Sequence, residues 1–380
     1  MHRRVAALAV PLTAVTLVVS SCASIPEEWR TPAFLRMNDD ALDSRLPEIT
    51  GDVGEEPEIT FPDTEPPDEE ITGVVSKGSG EDALVGADDL VIANVAQYQW
   101  TGPGEGEAVE GQSSYETGAP DLIRMDQMED YITDAMVSQP LGSRVVYYFP
   151  PLDLTPEEEA QAEAAGQELP EGGSVLIIDM IDRFSQGAVV PGEQTNDGGG
   201  DLPTVTQDGR SQPEIEIPDE DAPDELEVVP LIEGGGAEVE EGQQIIVQYT
   251  GVRWEADEDG NHEVFDSSWN QGGIPFDTTI GGGAVIQGWD EGIVGQNVGD
   301  RLMLIVPGDM AYGESDEEAM GAPSGTLVFV VDVLGAFDNA PPPEPEESEE
   351  DAEGEGAEEE ASEGDEDADE ESDESEEDSE

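Results

Sequence analysis

Cysteine and histidine are almost absent from this chain, with one Cys and two His among 380 residues. A single cysteine excludes an intramolecular disulfide, so packing and hydrogen bonds must hold together whatever folds. His2 lies at the N-terminus and His262 in a turn-like stretch, so imidazole offers no metal-ligating constellation. Basic residues are scarce too. Twelve Lys and Arg stand against 94 Asp and Glu, a formal net charge of -82. That imbalance excludes nucleic acid as a partner bound by phosphate neutralisation, and likewise a basic clamp on anionic lipid. Aromatic residues make up 5% of the chain, but the ends dilute this average and hide how globular the middle is.

At the N-terminus Arg3-Arg4 precede an uncharged, mostly apolar run from Val5 to Val19 that contains Pro11. The run is too short to cross a hydrocarbon core of about 30 Å, which takes roughly 20 residues. It reads as a secretory signal peptide over residues 1–21. Val19-Ser20-Ser21-Cys22 also resembles the lipobox of bacterial lipoproteins, which implies cleavage before Cys22, its lipidation and an extracytoplasmic protein anchored to the cell membrane. One acyl chain anchors marginally and two or three stably. The alternative is an ordinary cleaved signal with a chance cysteine. The context of a twin-arginine signal is absent around Arg3-Arg4.

The chain repeats itself. Leu46-Pro47 and Leu202-Pro203 lie 156 residues apart (202 − 46), as do Pro57-Glu-Ile-Thr-Phe-Pro62 and Pro213-Glu-Ile-Glu-Ile-Pro218. With an offset of 154, Trp100 falls on Trp254 and Ser113-Ser114 on Ser267-Ser268. This predicts a tandem duplication, with an extended lead-in over 22–69, a first domain over 70–184, a mostly extended linker over 185–225 and a second domain over 226–337. Within the linker, Ile215 and Ile217 are candidates for docking.

The second copy carries the chemistry. It runs Ile245-Ile-Val-Gln-Tyr-Thr-Gly251, Val264-Phe265-Asp266-Ser267-Ser268, Val285-Ile-Gln-Gly-Trp289, Val298-Gly-Asp-Arg301, Ala311-Tyr-Gly313 and Thr326-Leu-Val-Phe329. Leu327, Phe329, Val331 and Val333 alternate on one face of a strand whose other face is also apolar, the pattern of a central strand covered on both sides. Asp259-Gly260 marks a turn within a hairpin loop. In order and spacing these motifs closely resemble FKBP-type peptidyl-prolyl isomerases. The resemblance implies an α+β fold, a bent antiparallel sheet wrapped around a short helix at Gln287 to Val294, in two tandem FKBP-like domains.

It also implies a site. Trp289 would floor the pocket, with Tyr249, Phe265, Phe276, Val285, Ile286 and Phe329 as walls. The Tyr312 hydroxyl and the Ile286 N–H would donate to substrate carbonyls, and Asp266, partnered by the Tyr249 hydroxyl, would orient the polar side. Turning an X-Pro amide breaks C–N resonance against about 18–20 kcal/mol and makes no bond, so the activity calls for no cofactor. The implied partners are proline-containing exported polypeptides and macrolides of the tacrolimus and rapamycin type. Two departures from the family pattern stand out: Gln271 where a basic residue is often found, and an acidic loop, Glu314 to Pro323, whose only large apolar tip residue is Met320. The loop would disfavour macrolides and acidic peptides and favour positively charged substrates.

Where the second copy has Tyr249, Phe265, Asp266 and Trp289, the first has Val95, Gly111, Gln112 and Ile132, and the Tyr312 segment has no counterpart. Its place is taken by Leu154 to Gly166, a helix-like stretch with Thr155 as cap and Pro156 in the first turn. The first copy should therefore fold without catalysing, as a substrate-binding unit or a spacer. The tail over 338–380 has no basic or large apolar residue beyond its first turn and cannot build a core. It reads as disordered, serving solubility or a salt-adapted envelope; Asp365, Asp367, Asp369 and Glu376 approach EF-hand spacing, but Glu370 stands where glycine is needed. Against the enzyme stand two alternatives, a non-catalytic peptide-binding chaperone or envelope adaptor, and a surface protein in which both copies are spacers.

Overall fold

The structure, a computed structural model, describes residues 42–79, 83–151, 154–155, 172–257 and 259–339. The leader, Cys22, the helix-like stretch from Pro156 and the acidic tail beyond 339 lie outside the described residues.

In the first half, β1 (Glu48–Thr50) and β2 (Glu58–Thr60) form a short antiparallel ribbon. The strands β3 (Ile71–Ser76), β4 (Leu90–Gly102), β5 (Glu105–Ser113), β6 (Asp121–Arg124), β7 (Arg144–Phe149) and β8 (Gly173–Phe184) form an antiparallel sheet. Its order is β3-β7-β8-β4-β5, and β6 also pairs with β4. The second half repeats the plan: a ribbon of β9 (Thr204–Thr206) and β10 (Glu214–Glu216), then β11 (Glu227–Ile232), β12 (Gln244–Arg253), β13 (Val264–Ser267), β14 (Phe276–Thr279), β15 (Arg301–Val306) and β16 (Leu327–Phe337). Here the order is β11-β15-β16-β12-β13, with β14 on β12.

Each sheet is central where its sequence is apolar on both faces. Leu327, Phe329, Val331 and Val333 of β16 join one buried cluster, and Val328 and Val330 join the cluster on the opposite face. The short helix of the second half spans Gln287–Ile293, one residue shorter than the sequence suggested. It can lie close to the sheet because a Cβ on Gly288 would come within 2.3 Å of Val306 Cγ1. The corresponding helix of the first half is Asp130–Met136.

Within the stretches read as lead-in and linker, the described residues include two short antiparallel ribbons. Three-residue ribbons are marginal alone, and these persist because one apolar side chain in each docks on a sheet. Ile49 packs with Trp100 and Tyr148, and Val205 with Leu231, Trp254 and Met303. Ile215 and Ile217 border the second of these clusters, so residues 198–217 belong to the folded unit and are not spacer.

A buried ion pair sits at the same place in both sheets. Arg144 and Asp179, with side chains 1% and 0% exposed, meet in a fork of 2.6 and 2.7 Å. Arg301 and Asp332 meet at 2.5 and 2.8 Å. Taking such a pair from water is offset only by good geometry and further hydrogen bonds. Arg144 finds these on the connection between β1 and β2, donating to the carbonyls of Thr50, Gly51, Asp52 and Glu55 at 2.8 to 3.3 Å.

The two halves also touch. Leu90, Ile92 and Ile246 are buried together, bordered by Leu122, Phe184, Ile274, Leu334 and Phe337. Phe184 packs over Gly335, where a Cβ would come within 2.7 Å of its ring. Arg124 of β6 makes an ion pair with Asp277 of β14. Beside this contact lies a cleft of about 580 Å³, bordered by Arg183, Phe184, Arg210, Glu233 and Leu334.

Candidate active site

One face of the second sheet and the helix Gln287–Ile293 enclose a cluster of rings. Trp289 is the hub: its ring meets those of Tyr249 at 5.2 Å, Phe329 at 5.4 Å and Phe276 at 6.4 Å, all edge to face. Phe265 joins through Phe329 at 5.6 Å, and Tyr249 meets Phe276 at 5.7 Å. Edge-to-face contacts of this kind fix ring orientation as well as adding about 0.5–1.5 kcal/mol each beyond burial. Tyr249, Trp289 and Phe329 are buried, whereas Phe276 is 36% exposed. The interior is thus floored by Trp289 and rimmed by Phe276. Val285, Ile286, Met310 and Ala311 are half-buried against the same cluster.

The strands explain these placements. Tyr249 and Val247 lie two apart on β12 and so share a face, and Val247 pairs with Phe276 while Tyr249 pairs with Val331. Ser268 locks Tyr249 in place, its Oγ accepting from the Tyr249 N–H at 2.9 Å and donating to the Tyr249 carbonyl at 3.2 Å. Ser267 Oγ accepts from the Trp269 N–H at 3.2 Å and so starts the turn after β13.

Asp266 is the polar element. Its Oδ2 accepts from the Tyr249 hydroxyl at 2.6 Å, and its Oδ1 accepts from the Ser267 N–H at 2.8 Å and from Gln271 Nε2 at 3.2 Å. Gln271, standing where the family often has a basic residue, thus gives Asp266 a neutral donor. Burial, then the hydrogen bond to and the charge of Asp266, push the Tyr249 hydroxyl above the ordinary phenol range, so it remains a donor. Burial and the Asp266 charge push the Tyr312 hydroxyl up as well, and Tyr312 is 43% exposed at the mouth. The Ile286 N–H, at the N-terminal end of the helix, has no acceptor among the described residues. The Trp289 indole N–H is buried and likewise has none among them.

The nine residues expected from the sequence lie in or beside this ring cluster and Asp266. Sequence reasoning missed Asp290. Its carboxylate accepts from the Gly281 N–H at 2.7 Å and the Gly283 N–H at 2.8 Å, holding the turn that leads into Val285 and Ile286. The signal was a carboxylate in the first turn of the helix, opposite a run of glycines. The acidic loop carries a short helix, Asp316–Ala319, and Met320 stands 91% exposed beyond it.

The first half shows what the same frame looks like with other contents. Val95 pairs with Ile178 as Tyr249 pairs with Val331, and its N–H bonds Ser114 Oγ at 2.6 Å. Ala93 pairs with Asp121 as Val247 pairs with Phe276, so a carboxyl stands where the rim phenylalanine would be. Ile132 is the third residue of its helix, as Trp289 is of its own. By strand register Tyr147 replaces Leu304 and Phe149 replaces Val306. On this face of the first half the rings therefore meet between helix and sheet, Tyr131 with Phe149 at 5.8 Å and Tyr147 with Phe149 at 6.4 Å.

The second half thus presents a cluster of rings around Trp289, with the Asp266 carboxylate bonded to the Tyr249 hydroxyl beside it. Residues 235–334 match the family described as FKBP-type peptidyl-prolyl cis-trans isomerase. Over 126 residues the chain is 40% identical to an FK506-binding protein of Streptomyces anulatus, an alignment covering 32% of this chain and 95% of the relative. Over 127 residues it is 41% identical to a probable FK506-binding protein of Corynebacterium glutamicum, covering 33% and 98%. Among solved structures, AtFKBP13 is 32% identical over 30% of this chain and 94% of its own, with a TM-score of 0.25. The chain belongs to the FKBP family of peptidyl-prolyl isomerases.

Proposed function

We propose that the second half of this chain isomerises X-Pro bonds in exported polypeptides at the cell envelope, and that the first half is an FKBP-like copy without activity. The observation that carries the reading is the ring cluster about Trp289 with Asp266 fixed beside it. Rotation about the amide must pass a barrier of about 18–20 kcal/mol, and each decade of acceleration takes about 1.4 kcal/mol of preference for the twisted form. The planar amide is the more dipolar species, so an apolar pocket that strips its water destabilises it more than the twisted one. Trp289 receives the proline ring, and Tyr249, Phe265, Phe276, Val285, Ile286 and Phe329 enclose it. The Tyr312 hydroxyl and the Ile286 N–H donate to the flanking carbonyls, and Asp266 sets the polar side through Tyr249. Macrolides of the tacrolimus and rapamycin type would occupy the same pocket, less readily for the acidic loop after Tyr312.

The envelope location rests on the leader and Cys22, whose lipidation would anchor the protein to the membrane. Incorporation of labelled fatty acid into the wild type, and its loss in Cys22→Ala, would support it; an unlabelled wild type would refute it. The enzyme is tested with the chain from residue 23 onward and a proline-containing peptide. Acceleration of cis/trans exchange that drops in Asp266→Leu and Trp289→Ala is expected. A folded protein without acceleration across several X-Pro sequences leaves the non-catalytic peptide-binding chaperone as the better account.

A further inference from the structure

The pocket's outer wall is thin. It consists of β14 and the turn over residues 268–273, and β14 is paired only on its β12 side among the described strands. Both pieces have the first half of the chain, or the segment leaving it, at their backs.

Phe276 and Asp277 are consecutive on β14, so their side chains leave opposite faces. Phe276 points to Tyr249 and Trp289. Asp277 points to the first half, where Arg124 of β6 grips Oδ1 while Gln244 Nε2 holds Oδ2 at 3.0 Å. Asp277 is the only acceptor of the Arg124 guanidinium among the described residues, and the Arg124 Nε is buried without one. The second piece is gripped by the segment after β8. The Gln186 side-chain amide donates to the Gly272 carbonyl, and the Gly187 N–H donates to the Gly273 carbonyl at 2.7 Å. That turn carries Gln271, which donates to Asp266. Between the two grips, Phe184 and Ile92 close on Ile246 and Ile274.

We propose that the first half of the chain is a positioning element for the isomerase pocket, with Arg124 acting through Asp277 on β14 and so fixing the rim residue Phe276. The proposal rests on the pocket reading given above. A four-residue strand held along one edge shifts readily. A tether on its far side limits where the phenylalanine ring can sit. Phe276 meets substrate in both isomers, so loosening it should weaken substrate binding and leave the turnover step, set at Trp289 and Tyr249, nearly intact.

The test uses the chain from residue 23 onward. Arg124→Gln should raise KM about three- to fivefold with kcat retained, the size expected for one partly exposed ion pair. Arg124→Lys should keep most of the wild-type KM, and the exchanged pair Arg124→Asp with Asp277→Arg should recover part of it. In a Phe276→Ala background, Arg124→Gln should add nothing, because the ring it positions is gone. A merely structural pair would lower stability and leave KM unchanged. Amide exchange should quicken at 276–279 in Arg124→Gln while the rest of the sheet keeps its protection, which separates loosening from unfolding. An active wild type whose KM is indifferent to Arg124→Gln, or a loss that simply adds to that of Phe276→Ala, would overturn the positioning role alone. A folded but inactive wild type would overturn both this proposal and the isomerase reading.

Discussion

The two halves hold one frame around two different interiors. Strand order, ribbon, buried Arg–Asp pair and the serine that locks the strand backbone recur in both. The residues that point inward do not. Tyr249, Phe276, Trp289 and Phe329 have Val95, Asp121, Ile132 and Leu176 as their equivalents. The volume lost with the indole is made up from the opposite wall, where Leu304 becomes Tyr147 and Val306 becomes Phe149. Frame and interior are thus separable: the first is fixed by backbone bonding and one buried ion pair, the second by side chains that a sheet tolerates in several combinations.

The largest break in this comparison should come from the frame. Arg144→Leu leaves Asp179 buried without its counter-charge, held only by the Tyr115 hydroxyl and the Gly54 N–H, frees the connection between β1 and β2, and should cost the first half about 3–5 kcal/mol. Urea unfolding would show it as a lower midpoint for that half. Next in size, Trp289→Ala should lower kcat/KM about 10- to 100-fold, or about 1.4–2.7 kcal/mol, while Ile132→Ala leaves it unchanged; peptide isomerisation assays measure both.

A third effect separates the halves by pH. Burial raises the Asp121 carboxyl from 3.8 to about 6, so between these values the folded state holds a proton that the unfolded state has released. The Asp121 contribution to the stability of the first half should therefore be fullest below about pH 4 and be lost as pH rises through about 6. The change is about 1–2 kcal/mol, allowing for partial solvation. Asp121→Asn should flatten this slope in denaturation midpoints taken across that window. The equivalent residue in the second half is Phe276, which carries no such charge. The smallest effect is at Gln271: Gln271→Ala removes one donor to Asp266 and should lower kcat/KM about two- to fivefold, at about 0.5–1 kcal/mol.

Much of this was legible in the sequence because the signals were local. The alternation in β16 fixes side-chain direction by period, the Gly-Trp-Asp-Glu-Gly helix and the Asp-Ser-Ser turn were legible through the family resemblance, and the equivalences of Val95, Gly111 and Gln112 follow from the common offset of 154 residues. The ribbons escaped because three-residue strands such as Glu-Ile-Thr and Thr-Val-Thr, set among prolines and acids, are too short to hold alone; Ile49 and Val205 hold them by docking. The repeat at 156 residues already covered them and was the available signal. Asp121 and the Tyr147 and Phe149 substitutions escaped for another reason, since their meaning depends on strand register across the sheet.

In both sheets the central strand is the last to be made: β8 ends the first half and β16 the second. Neither sheet can close until its final strand arrives, because β7 and β4, or β15 and β12, meet only across it. A chain delivered N-terminus first, from ribosome or secretory channel, would have the first half's central strand in hand before the second's. When β8 settles, Leu90, Ile92 and Phe184 are already in place as an apolar surface, and β12, β14 and β16 come to rest against it as they emerge. The first half would then offer β12, β14 and β16 a finished surface to pack on.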